Sequence, residues 1–164
     1  MSGRQQNRGG AAVGFLSDID PVEASAVVYM RMWFDGPTQQ CQVWNDFAKT
    51  LGPDHARNAL RSFEHLWKLC SLHGRRPLMR HSVSCKCLGG DEACFASIVG
   101  YAAEGNREDA FLMAANLVRP DIAPAVVALA EEFGHALQRM MTQTSAQFEN
   151  NVVPMAPRDR RHLH

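Results

Sequence analysis

No stretch of this chain is apolar for long enough to cross a bilayer. Its 164 residues never string together the roughly 20 apolar positions that a spanning helix requires. The opening, MSGRQQNRGGAAVG, lacks the apolar core of a secretory signal. Both absences set the expectation of a cytoplasmic protein without a membrane partner. Net charge is missing too: 17 basic residues stand against 17 acidic ones, which disfavours a dedicated nucleic-acid binder. The chain holds no phosphate-cradling glycine loop, no G-x-S-x-G, no H-E-x-x-H and no acid pair at a catalytic spacing, so nothing forces an enzymatic reading. E-x-x-H occurs once, as Glu132 and His135, whereas a carboxylate-bridged di-iron site needs the motif twice. That pair reads as a solvated polar face. No internal repeat is present.

What is there is the composition of one folded domain, 46% apolar and 21% charged, at a length that supports a single core. Charge is unevenly placed. Residues 55–90 carry seven basic residues and one acid, while residues 91–149 carry nine acids and three arginines. Five cysteines are an odd number, three of them too close together for an extracellular disulfide framework.

Glycine and proline divide the chain into helices. Asp20 reads as an N-cap with Pro21 at the first helical position and Glu23 at the third, opening a segment that is apolar except for Arg31 and is expected to be the most buried helix. D-G-P at 35–37 ends it. A second helix places Cys41, Trp44, Phe47, Ala48 and Leu51 on one face, and L-G-P-D at 51–54 breaks it so that Pro53 starts a third. Residues 53–73 are amphipathic, with Ala56, Leu60, Phe63, Trp67 and Cys70 opposite Arg57, Arg61, Glu64 and Lys68. Asp91 reads as the N-cap of a fourth helix ended by Gly105. A short fifth follows, then a sixth with an apolar stripe of Val126, Ala130, Phe133, Leu137 and Met140 or Met141. Short connections make this an all-α, single globular bundle of about six helices, with an irregular Cys/His loop between helices 3 and 4. Residues 1–14 read as a flexible arm, 15–147 as the helical domain and 148–164 as a flexible tail.

The loop, residues 73–94, is too irregular for a helix and too long for a turn, so something has to hold it. It contains His81, Cys85, Cys87 and Cys94, in the pattern H-x3-C-x-C-x6-C, with His73 as an alternate ligand. Thiolates with imidazole are the usual structural zinc set, and Gly89–Gly90 lets the chain double back on an ion. With Asp91 as N-cap, Cys94 falls at the third helical position, where the dipole favours a thiolate. Arg80 and Lys86 offset the excess negative charge. Cys41 and Cys70 read as inert core.

These features set the expectation of a cytoplasmic helical protein that binds zinc (Zn) through a structural Cys3His site and acts by binding a protein partner, in a regulatory role. Two alternatives share the residues. One is a metal-dependent enzyme with an open three-ligand site and Glu92 or His81 as acid or base. The other is a thiol redox-responsive regulator, with Cys94 attacking and Cys85 or Cys87 resolving. A less favoured reading makes the pair of helices around residues 50–68 a helix-turn-helix that contacts phosphate through Arg57, Arg61 and Lys68.

Overall fold

The computed structural model describes residues 8–151. Six helices follow one another: α1 Pro21–Trp33, α2 Pro37–Leu51, α3 Pro53–His73, α4 Gly90–Ala103, α5 Arg107–Leu117 and α6 Ala123–Asn151. Helical residues, 3-10 turns included, make up 76% of the described residues, which makes the fold an all-α bundle. No helix among the described residues is long and apolar enough to cross a membrane.

Local chemistry accounts for most helix ends. The Asp20 carboxylate accepts from Val22 N–H at 2.8 Å, with Pro21 beside it at the first helical position. Gly52 serves as C-cap of α2 and N-cap of α3 at once, with φ of 84°, a conformation that side chains disfavour. Its N–H donates to Ala48 and its carbonyl accepts from Ala56. One residue thus ends one helix and starts the next.

Burial follows the expected periodicity on α3 and α6. Ala56, Leu60, Phe63, Trp67 and Cys70 are all buried, as are Val126, Ala130, Phe133, Leu137 and Met140. On α2 the buried face is instead Val43, Phe47 and Leu51, a plain i, i+4 series, and it leaves Trp44 and Cys41 exposed. Cys41 is therefore not a core cysteine. Aromatic rings tie the helices together: Phe133 of α6 stacks on Phe63 of α3 at 4.5 Å and on Phe47 of α2 at 6.1 Å, and Trp67 meets Phe95 of α4 at 4.6 Å. Each ring so buried contributes roughly 1.5–3 kcal/mol.

The most buried helix is α4 rather than α1. α1 buries only Ala26, Val27, Met30 and Arg31, whereas α4 packs against α1, α5 and α6. Small residues allow this. A Cβ on Gly134 of α6 would stand 2.8 Å from the Ala103 Cβ and 3.0 Å from the Val99 carbonyl oxygen, so these two helices approach through a glycine.

Residues 8–14 of the expected arm are built into the fold. Arg8–Gly10 forms a 3-10 turn, and β1 (Ala12–Phe15) pairs antiparallel with β2 (Cys87–Gly89), in the register Ala12↔Gly89, Gly14↔Leu88, Phe15↔Cys87. Half-buried backbone at 87–89 needs partners for its polar groups, and the early residues supply them. No local pattern in either segment announces a strand, because each is ordered by the other. Residues 148–151 of the expected tail continue α6, while 1–7 and 152–164 lie outside the described residues.

Overfilling the α4–α6 approach tests this packing. Gly134→Val is expected to lose roughly 1–3 kcal/mol in urea unfolding. Gly14→Val, whose Cβ meets nothing within 4 Å, should change stability by no more than about 0.5 kcal/mol.

Candidate functional site

The irregular stretch between α3 and α4 is anchored by two acids at the start of α4. Helix α4 begins at Gly90 with Gly89 as N-cap, so Asp91 and Glu92 occupy its second and third positions. Asp91 is not the cap expected from the sequence. Its carboxylate turns back to Arg76, at 2.7 and 2.5 Å, and accepts from Met79 N–H at 2.8 Å.

Glu92 is fully buried and faces Arg31 of α1, whose side chain is also fully enclosed. The guanidinium fork meets the carboxylate with Nε to Oε1 and Nη2 to Oε2, both at 2.7 Å. Its remaining N–H groups reach loop carbonyls: Nη1 donates to Ser82 at 3.2 Å and Cys85 at 2.6 Å, and Nη2 to Cys87 at 2.6 Å. Glu92 accepts two further bonds, from His81 N–H and Gly89 N–H, each 2.9 Å. All five guanidinium donors and both carboxylate oxygens are thereby engaged. Burial raises the Glu92 carboxyl pKa, but Arg31 and the two backbone N–H groups outweigh it and hold the carboxyl below its ordinary value of 4.5. The ion pair and its hydrogen bonds to the backbone at 81, 82, 85, 87 and 89 hold the loop.

The expected ligands do not converge. His81 and Cys85 meet, with Nδ1 3.6 Å from Sγ, and Cys87 lies beside Cys85. Cys94 belongs elsewhere: its thiol donates to the Met113 carbonyl of α5 at 3.3 Å, and its charged neighbours are Asp91 and Arg76. His73 sits at the end of α3, where its carbonyl accepts from Arg119 and its ring is felt by Asp121. Among the described residues no three His, Cys, Asp or Glu side chains are gathered so as to hold a metal ion. Arg80 is also not poised over the cysteines, since it lies on the Phe34 ring and donates to the Phe34 carbonyl at 2.9 Å. Glu132 accepts from Ser62, and His135 is exposed.

Cys94 differs from expectation in chemistry as well. Because the helix begins at Gly90, Cys94 lies in its second turn, past the free N–H groups. Burial first, then the nearby Asp91, push its thiol up to about 11. Burial does the same to Cys70, up to about 12, with Cys94 adding to it. Neither is a ready thiolate. Cys87 is half-buried, and its thiol pKa is raised, first by a hydrogen bond with Cys85 and then by the Cys85 charge.

His81 completes the group. Its Nε2 lies 2.9 Å from the Gly10 carbonyl oxygen, which only accepts. In the neutral ring Nε2 therefore carries the hydrogen, and Nδ1 turns a lone pair toward the Cys85 thiol. A base, a thiol and a second thiol stand in sequence on a loop whose carbonyls are pinned from below.

Arg31 and Gly10 are the parts that sequence reasoning passed over. A single arginine in a helix otherwise apolar after its cap was the available signal, because a lone buried charge demands a partner. Nothing local pointed to Gly10. Comparison with known proteins finds no matching family model, no matching curated protein and no matching solved structure. The site is therefore characterised by its own chemistry, as a clamped dithiol loop on an all-α bundle.

Glu92→Ala or Arg31→Met alone should cost roughly 3–5 kcal/mol, since each leaves a buried charge unpaired. The double variant Arg31→Met/Glu92→Leu should regain most of that, yet show faster amide exchange at His81 and Gly89. Slow exchange persisting there would count against the clamp. A second test uses pH. With the folded pKa of Glu92 below 4.5, its contribution is fully present above that value and is lost as pH falls through the lower folded one. The stability gap between the native chain and Glu92→Gln should accordingly narrow on acidification, and a gap independent of pH would contradict the assignment.

Proposed function

We propose that this protein is a thiol redox-responsive regulator whose working pair is Cys85 and Cys87, with His81 as the base. The carrying observation is the run from His81 Nδ1 to Cys85 Sγ, 3.6 Å, and on to Cys87, above carbonyls of both cysteines that Arg31 holds at 2.6 Å. This assigns the attacking role to Cys85, in place of the Cys94 expected from position alone.

The oxidant class is a peroxide. His81 Nδ1 takes the Cys85 proton and the sulfur attacks one peroxide oxygen. The O–O bond breaks, and the departing oxygen leaves as water after taking the proton from the imidazolium. Cys85 is then a sulfenic acid. The Cys87 sulfur attacks it, the S–O bond breaks, a second water leaves with the Cys87 proton, and the S–S bond forms. Two thiols lose two electrons and one hydrogen peroxide is reduced to two waters. Closing a bond between positions 85 and 87 moves carbonyls that Arg31 grips, which carries the change to α1 and, through Glu92, to α4. A protein partner would read the exposed side chains of Ser82, Ser84 and Lys86. Zinc is the competing occupant, because His81, Cys85 and Cys87 are soft donors on one loop.

The test oxidises the whole protein with one equivalent of hydrogen peroxide. Of its five thiols, titration should lose two, peptide mapping should find a bond between Cys85 and Cys87, and a dithiol should reverse it. His81→Gln should slow the reaction by about a hundredfold, the range of a positioned base. A bond to Cys94, or a Cys85 no faster than exposed Cys41, would overturn the reading. So would one metal per chain in the purified protein that Cys85→Ser/Cys87→Ser fails to retain, a result that assigns the pair to zinc.

A further inference from the structure

Next to the clamp lies a cavity of about 550 Å3, walled by the end of α1, the last turns of α3 and residues 74–80, with Asp91 and Glu92 on its inner side. Its size is that of a small-molecule site. Trp67, Phe34 and Leu78 give it an apolar, largely aromatic wall.

The charge balance of the wall specifies the occupant. Both acids are neutralised, Glu92 by Arg31 and Asp91 by Arg76. Arg75 and Arg80 also line the cavity, and neither has a carboxylate partner among the described residues. Arg75 Nε donates only to the Ala115 and Val118 carbonyls, at 2.8 and 3.3 Å, and Arg80 only to the Phe34 carbonyl. Both side chains are exposed and Arg80 lies over the Phe34 ring, so two guanidinium groups without a carboxylate stand at the mouth of an aromatic wall. Trp67 adds an independent sign: it is 7% exposed, and its buried indole N–H has no acceptor. Such a group is costly until an acceptor reaches it.

We infer that this cavity binds a small organic anion, a molecule with an aromatic or aliphatic body and one carboxylate or sulfonate. The body packs on Trp67 and Phe34, and the anion takes the unused donors of Arg75 and Arg80. Guanidinium groups favour such anions because the fork matches two oxygens at once. The site is independent of the thiol chemistry, since neither Cys85 nor Cys87 lines it.

The test uses the full chain with two fluorescent probes of similar ring structure, the anionic 8-anilinonaphthalene-1-sulfonate and the neutral N-phenyl-1-naphthylamine. The sulfonate should bind saturably at one site per chain, be displaced by a medium-chain fatty acid, and weaken with added salt. Arg75→Gln/Arg80→Gln should weaken sulfonate binding about tenfold or more, and the neutral probe by no more than about twofold. Ser71→Trp, from an exposed position on the cavity wall, should block both probes while near-ultraviolet circular dichroism keeps the native signature. Sulfonate binding that survives Ser71→Trp places the probe elsewhere and overturns the proposal. Equal loss of both probes in the arginine variant overturns the anion preference, and binding at many weak sites overturns the cavity as a specific site.

Discussion

The structure depends on one buried ion pair. Arg31 and Glu92 lie 61 positions apart, yet between them they hold carbonyls at 82, 85 and 87 and N–H groups at 81 and 89. A buried pair of this kind is expensive, because removing two charges from water costs several kcal/mol each before any attraction is counted. It persists only when geometry is good and every remaining donor and acceptor is met. Both conditions hold here. The return is less in net stability than in shape: a segment without helical regularity takes one path, and its Cys85 and Cys87 acquire surroundings distinct from those of Cys94 on α4.

Those surroundings separate chemically similar groups. Cys94 and Cys70 are packed among helices, where burial keeps the thiol protonated and poor as a nucleophile. Cys85 and Cys87 are half-buried in the loop beside an imidazole whose far nitrogen is fixed by the Gly10 carbonyl. The same clamp shapes the neighbouring cavity. By neutralising the acids in its wall, Arg31 and Arg76 leave the arginines at 75 and 80 as the charges that a ligand would meet.

Much of the scaffold was legible without coordinates. The Asp20–Pro21 start, the break at Gly52 and the apolar stripes of α3 and α6 follow from capping chemistry and a period of 3.6 residues. Two apolar series fit α2, and burial selects Val43 over Cys41 and Trp44. Helix α4 starts two residues earlier than an Asp91 cap implies. That small shift removed the dipole argument for Cys94, since the influence of a helix end fades within one turn. Strand β1 is silent in the sequence because four residues of ordinary composition carry no signal until they meet a partner.

By itself the sequence determined where helices run, which faces are apolar, and that residues 73–94 need an anchor. These are local properties, set by backbone sterics, caps and spacing within a few turns. Only the tertiary structure decided what the anchor is and which sulfurs share a site. Charge pairing and thiol proximity are through-space quantities, and a lone arginine on α1 shows no sign of its acid until the helices have packed.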